Sequence, residues 1–449
     1  MMTRRLHAKI EEMDARMSIV IVFTVAVSVR AVAYAMNLLA LPMWPANWPG
    51  SALGRGSMFY IQANVKYILD GLLPYSNFAF NYGPLYLYSM APFYIISPWL
   101  SYVPTVVADA ATSVAIYLTV KHVSARQNMA MVAGLAYALL PFAVINEGYL
   151  WMSSQPMTFF IILAMYFSVK KSQVAALCTL AVAALFKQEA LFVLLPLVVI
   201  SAVTDWHKTV KGVVASAGVF LAGIGPFLAA SPLETIYSLT YGRLVNLGSA
   251  PGYGAPSTVL QTIPNSCAQG LINITSASTG LMCGTIVNPS AFAAYELQSR
   301  IFGFILVIRP ILNVLDPVLL GIFAISLLAV RKSPVALQLA AAFSSLAFLV
   351  LFSYLVHSLF AYYFLPVYAL MLTASMNRRM LEITVAATTL AMFVPDGIMQ
   401  LVISMFGVFA MTVAESMRLE RVRLEPTCHL SGLSFRSAVP VPDSPAERQ

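Results

Sequence analysis

Charge is what this chain has least of. Asp, Glu, Lys and Arg make up 10% of its 449 residues, and 59% are hydrophobic. Soluble globular chains carry about 25% charged residues, so an ordinary soluble domain is excluded. Mean hydropathy is +0.80. Cysteine is sparse, with four residues, and histidine numbers five. No His/Cys cluster marks a metal site and the acidic residues are scattered, so metal independence is expected. No soluble domain and no short-period repeat is visible. The segment Met1–Arg16 is charged, and the apolar run after it is too long for a signal-peptide core, so it reads as a first span rather than a cleaved leader.

What is present is a series of apolar stretches of membrane-crossing length. Runs of about 17–25 apolar residues read as transmembrane helices, because lipid leaves every backbone polar group to be satisfied within the segment. The spans fall near 17–41, 102–120, 128–146, 152–169, 172–186, 189–204, 212–230, 310–330, 335–353, 358–375, 380–395 and 397–416. The fold class expected is all-α: a polytopic transmembrane helical bundle of about 12 spans with long exoplasmic loops bearing interfacial helices. The spans from 146 to 204 are short, so the count is open by two.

The basic residues fall at alternate ends of these spans. Arg4, Arg5, Lys9, Arg16, Lys121, Arg126, Lys170, Lys171, Lys208, Lys211, Arg331, Lys332, Arg378, Arg379, Arg418, Arg421, Arg423, Arg436 and Arg448 share one side. They account for 19 of the 26 Lys and Arg. The positive-inside rule makes that side cytoplasmic, with both termini inside; in a prokaryote the membrane would be the plasma membrane. The net charge of +8 then belongs to loops facing anionic lipid, and no nucleic-acid partner is expected. The division is a cytoplasmic N-terminus (1–16), a transmembrane domain (17–417) with exoplasmic loops at about 42–100 and 231–300, and a cytoplasmic tail (418–449) of disordered composition. In the first loop Ser57–Asp70 reads as an amphipathic interfacial helix. Cys178 and Cys428 read as free thiols. Cys267 and Cys283 share the second loop, where they either form a disulfide or remain two thiols. Asn273 heads a glycosylation sequon.

Few ionisable residues remain on the exoplasmic side or inside the membrane: Arg30, Arg55, Lys66, Lys187, Arg243, Arg300 and Arg309 against Asp70, Asp109, Glu147, Glu189, Glu234, Glu296, Asp316 and Asp396, with His357. An intramembrane charge is a functional candidate by default; the plainer reading is a buried ion pair or a snorkelling side chain. Cations here can bind a lipid phosphate and a carboxylate can act as a base.

At these residues the chain resembles the GT-C superfamily of polytopic glycosyltransferases, of the protein O-mannosyltransferase and aminoarabinose-transferase type. The landmarks run in order over about 20–375. They are Arg30 in the first span, Tyr67-Ile68-Leu69-Asp70-Gly71-Leu72-Leu73-Pro74-Tyr75, Phe80-Asn81-Tyr82-Gly83-Pro84-Leu85, the Glu147 turn, Leu185-Phe186-Lys187-Gln188-Glu189 with Pro196, and His357 to Tyr363 with Pro366. The resemblance implies a hexosyltransferase drawing on dolichyl phosphate mannose or another polyprenyl-phosphate-linked sugar as co-substrate, with no cofactor. The acceptor is a protein, lipid or glycan. Asp70, then Glu147, would be the catalytic base. Lys187, His357, Arg243, Arg309, Tyr362 and Tyr363 would face the leaving phosphate, where aimed cations are worth several kcal/mol. Arg30, Gln188 and Glu189 would be structural. The family's loop acid, expected near Ser57 or Tyr60, has no counterpart, so either Asp70 or Glu147 replaces it or the chain is a divergent or inactive relative. Two further readings stand beside the transferase: a flippase or transporter for a lipid-linked or anionic substrate, and a non-catalytic subunit of a glycosylation complex.

Overall fold

The computed structural model describes residues 14–39, 56–78, 80–149, 153–239, 274–275, 282–283, 318, 321–322, 324–356, 361–393 and 397–424. These are mostly helical. In chain order the elements are α1 (Ala15–Leu38), α2 (Gly56–Leu69), α3 (Pro84–Ile96), a 3-10 turn (Pro98–Tyr102), α4 (Val103–Ser124) and α5 (Gln127–Ala138). A π-helical stretch follows over Val144–Tyr149. Then come α6 (Gln155–Val169), α7 (Gln173–Phe186), α8 (Leu191–Thr204), α9 (Trp206–Ala230), α10 (Pro232–Leu239), α11 (Ala336–Val356), α12 (Leu365–Thr373), α13 (Arg378–Phe393) and α14 (Gly397–Leu424). A two-residue antiparallel ladder pairs Ile274 with Cys283 and Thr275 with Met282.

Local chemistry sets the helix boundaries. Asp205 caps α9, its carboxylate accepting from the backbone N–H of Lys208. Proline stands in the first turn of α3, α4, α6 and α12, where a missing N–H leaves nothing unsatisfied. The helix α2 ends in a full Schellman motif. Leu72 N–H donates to the Tyr67 carbonyl at 2.9 Å and Gly71 N–H to that of Ile68 at 3.2 Å. Gly71 takes φ +83°, which only glycine adopts freely.

The core lies where α4, α5, α6, α7 and α12 meet; Tyr117, Tyr137, Leu177, Leu180, Met165 and Tyr368 are all within 1% of full burial. On the periphery α8 carries Val203 and α9 carries Val214 and Leu221 outward, as a lipid-facing surface does.

Among the described residues five helices are long and apolar enough to cross a membrane: Ala15–Asn37, Pro98–Ser124, Gln127–Tyr149, Trp206–Ala230 and Gln400–Glu420. Five more apolar helices are shorter, Gln155–Val169, Gln173–Phe186, Gln188–Thr204, Ala336–Leu351 and Tyr362–Thr373. The first-named five reach spanning length, so the described residues do not by themselves make up the twelve spans expected. Most of the expected 310–330 span lies outside the described residues, and α13, expected as a span over 380–395, opens on Arg378 and Arg379. The helix α14 runs on to Leu424, past the end of the last expected span. The helix α2 coincides with the segment expected at Ser57–Asp70.

Candidate functional site

The first loop reaches the bundle through a short irregular segment. Tyr75 sits at φ +69°, fully buried, with its hydroxyl donating to the Tyr82 carbonyl at 2.7 Å and its ring edge-on to Phe227. A side chain in the left-handed region persists only where its surroundings hold it. Gly83 N–H then donates to the Phe186 carbonyl at 3.0 Å. A Cβ at Gly83 would lie 2.0 Å from the Leu185 carbonyl oxygen, so no other residue fits. Gln188 reaches back to the Asn81 carbonyl at 2.8 Å. The Tyr82-Gly83 corner is thereby fastened to the turn between α7 and α8.

Two groups of buried charge flank the π-helical stretch. In the first, Arg30 of α1 donates from Nε to Asp109 of α4 at 2.5 Å, and its Nη groups donate to the carbonyls of Ala138 and Tyr137. Tyr137 of α5 donates its hydroxyl to the other Asp109 oxygen at 2.6 Å. Arg30 and Asp109 are completely buried. Charge and hydrogen bonds close on one another, as a buried pair requires.

The second group is open. Lys187 Nζ lies 3.1 Å from Glu189 Oε1, with Lys187 completely buried, and 4.8–5.0 Å from the ring centres of Tyr82, Tyr362 and Tyr363. Tyr362 is hydrogen-bonded to Tyr363 and Tyr82. The Lys187–Glu189 approach is close but undirected: Lys187 Nζ and both Glu189 oxygens lack a hydrogen bond of proper geometry. Glu147, 1% exposed, has both carboxylate oxygens unpaired. It lies within electrostatic reach of Lys187, Arg30 and Asp109. Its backbone carbonyl accepts from Tyr102, whose hydroxyl accepts from Gln155. Tyr86 Oη, Asn81 Oδ1, Gln155 Oε1, Gln188 Oε1 and the hydroxyls of Ser153 and Ser154 are buried without a partner as well. A small cavity abuts this group, lined by Glu189, Tyr363 and Ser345 on its polar side and by Met157, Val193 and Phe348 among its apolar residues.

Of the sequence candidates, Glu147, Lys187, Gln188, Glu189, Tyr362 and Tyr363 converge here, and Arg30 falls in the closed group. Asp70 does not converge. It is exposed and occupies the C-cap position of α2, so its place in the sequence before Gly71 reflects how that helix stops. His357, Arg243, Arg309, Cys267 and Asn273 lie outside the described residues. Cys283 lies in the ladder, and its side chain is outside the description. Cys178 is a free, half-buried thiol. The sequence did not single out Tyr86, Tyr102, Tyr137 or Gln155. Nothing distinguishes four polar side chains among 21 tyrosines and many amides until their burial is known.

The bundle and its buried charges define a polytopic helical membrane protein. Residues 55–245, under half of the chain, match the family described as GPI transamidase subunit PIG-U. No curated protein matches the chain. The family match overturns the GT-C resemblance, because this family is not one of glycosyltransferases. The hexosyltransferase reading falls with it, as do the dolichyl phosphate mannose and polyprenyl-phosphate-sugar partners. Among the three readings the sequence left open, the non-catalytic subunit of a complex is the one the match fits.

Proposed function

We propose that the chain is a non-catalytic membrane subunit of a GPI transamidase-type complex, one that attaches a glycosylphosphatidylinositol to protein. The observation that carries the reading is the match over 55–245, which takes in the fastened first loop, the π-helical stretch and the Lys187 turn. Its partners are the other subunits of the complex, membrane lipid and, through the complex, a protein acceptor. It needs neither cofactor nor metal of its own. The spans number about twelve, the division at 16 and 417 holds, both termini are cytoplasmic, and the membrane is that of the endoplasmic reticulum.

The test is depletion and rescue in cells, with purification of the tagged full chain. Loss of the chain abolishes surface display of GPI-anchored proteins, re-expression restores it, and the chain co-purifies with an amide-cleaving subunit. Normal anchoring without the chain, or sugar transfer from a polyprenyl phosphate by the purified chain alone, overturns the reading.

A further inference from the structure

The open group is lopsided in two ways. Its unpaired atoms are mostly acceptors: both oxygens of Glu147, both of Glu189, and the amide oxygens of Gln155, Gln188 and Asn81. Among the described residues it also holds two carboxylates, Glu147 and Glu189, against one cation, Lys187, while Arg30 and Asp109 neutralise each other a short way off. Buried acceptors without donors and a buried uncompensated carboxylate are each strongly unfavourable. One added ligand removes both imbalances if it brings a positive charge and several N–H donors. A neutral polyol supplies donors and leaves the charge. A quaternary ammonium supplies charge and no N–H. An anion worsens both.

We infer that this group is a binding site for a primary ammonium, held between the carboxylates of Glu147 and Glu189 and facing the tyrosine rings that already surround one ammonium, that of Lys187. Aromatic faces attract a desolvated cation. The cavity beside Glu189 continues over Met157, Ile161, Val193, Phe348, Leu349 and Pro366. A largely apolar cavity bordered by the Glu189 carboxylate suits the head of an amphiphile. Tyr86, whose buried hydroxyl has no hydrogen-bond partner, lies within electrostatic reach of Glu147. The inference is independent of the subunit reading.

The experiment uses the purified full chain, stripped of lipid in detergent. Native mass spectrometry measures retention of phosphatidylethanolamine, phosphatidylcholine and phosphatidylglycerol, and thermal melting is followed with ethylammonium, tetramethylammonium or ethanol. Phosphatidylethanolamine is retained about tenfold or more over the other two, as charged hydrogen bonds worth about 1.5–3 kcal/mol require, or ethylammonium alone raises the melting temperature. The first result identifies a lipid headgroup and the second a free amine. Glu147→Gln abolishes the preference, and Glu189→Gln serves as a second variant should the first not fold. Equal retention of all three lipids together with no effect of ethylammonium overturns the site, as does an unchanged preference in both variants. Co-purification of the variants with the complex separates a failure here from a failure of the subunit reading.

Discussion

The two buried charge groups are built from the same ingredients and reach opposite states. Around Arg30 every strong donor finds an acceptor on α4 or α5, and the pair is locked by a tyrosine hydroxyl. Around Lys187 the cation meets one carboxylate and three aromatic faces, a second carboxylate stands alone, and amide oxygens are left over. A closed pair specifies how helices sit against each other; an open one leaves capacity for something else. The stability of the first should therefore collapse when one partner is removed, and the second should respond according to which sign of charge is lost.

The sharpest break of the comparison is Asp109→Ala. It strands a completely buried guanidinium, and a loss of about 3–5 kcal/mol is expected, read as failure to yield folded protein in detergent or as a large fall in melting temperature. Lys187→Met removes the sole cation of the open group and leaves two carboxylates facing tyrosine rings. A loss of about 3 kcal/mol is expected, smaller than for Asp109 because the Lys187–Glu189 contact is undirected. Gly83→Ala drives a Cβ against the Leu185 carbonyl and must shift the loop that carries Tyr82, a loss of about 1–3 kcal/mol. It should also raise cleavage of the first loop by added protease. Glu147→Gln reverses the sign. It removes an unpaired charge while keeping shape, so melting should stay within about 1 kcal/mol of wild type or rise. If it instead melted as early as Asp109→Ala, the distinction between closed and open groups would be wrong.

Asp205 calibrates both against an exposed charge. The Lys208 backbone N–H and side chain hold its carboxyl below the ordinary value of 3.8. A depressed pKa contributes stability that is present above the unfolded value and is lost as pH falls through the folded one. Asp205→Ala should thus lower melting temperature slightly at pH 7 and not at all well below pH 3.8.

Much of this was legible in the sequence in outline. Hydropathy located the helices α1, α4, α5 and α9, and the scarcity of charge flagged Arg30, Glu147, Lys187 and Glu189. Their partners were not legible. Arg30 and Asp109 are 79 positions apart, and neither residue says which of several opposite charges it will meet. Asp70 shows the reverse failure. An acid beside Gly-Leu-Leu-Pro-Tyr resembled a catalytic loop, while the glycine was there to end a helix. The GT-C motifs misled for the same reason: in this chain Gly83 fastens the first loop to the bundle at Leu185 and Phe186, a role that carries no chemistry. The short spans near 152–204 kept the lengths expected of them, as α6, α7 and α8 end within a few residues of 152–169, 172–186 and 189–204.

The fastening of the Tyr82-Gly83 corner bears on how the protein is made. Gln188 and the Asn81 carbonyl it holds are 107 positions apart in the chain. As the polypeptide emerges during synthesis, the first loop is complete while its anchor has yet to be translated. The helices α4, α5, α6 and α7 must enter the bilayer before Phe186 and Gln188 can receive the corner. Until then Tyr82 and Tyr86 stay exposed outside the nascent bundle, so a chain interrupted before residue 186 would display this loop to proteases and chaperones, whereas one extended past residue 188 would withdraw it.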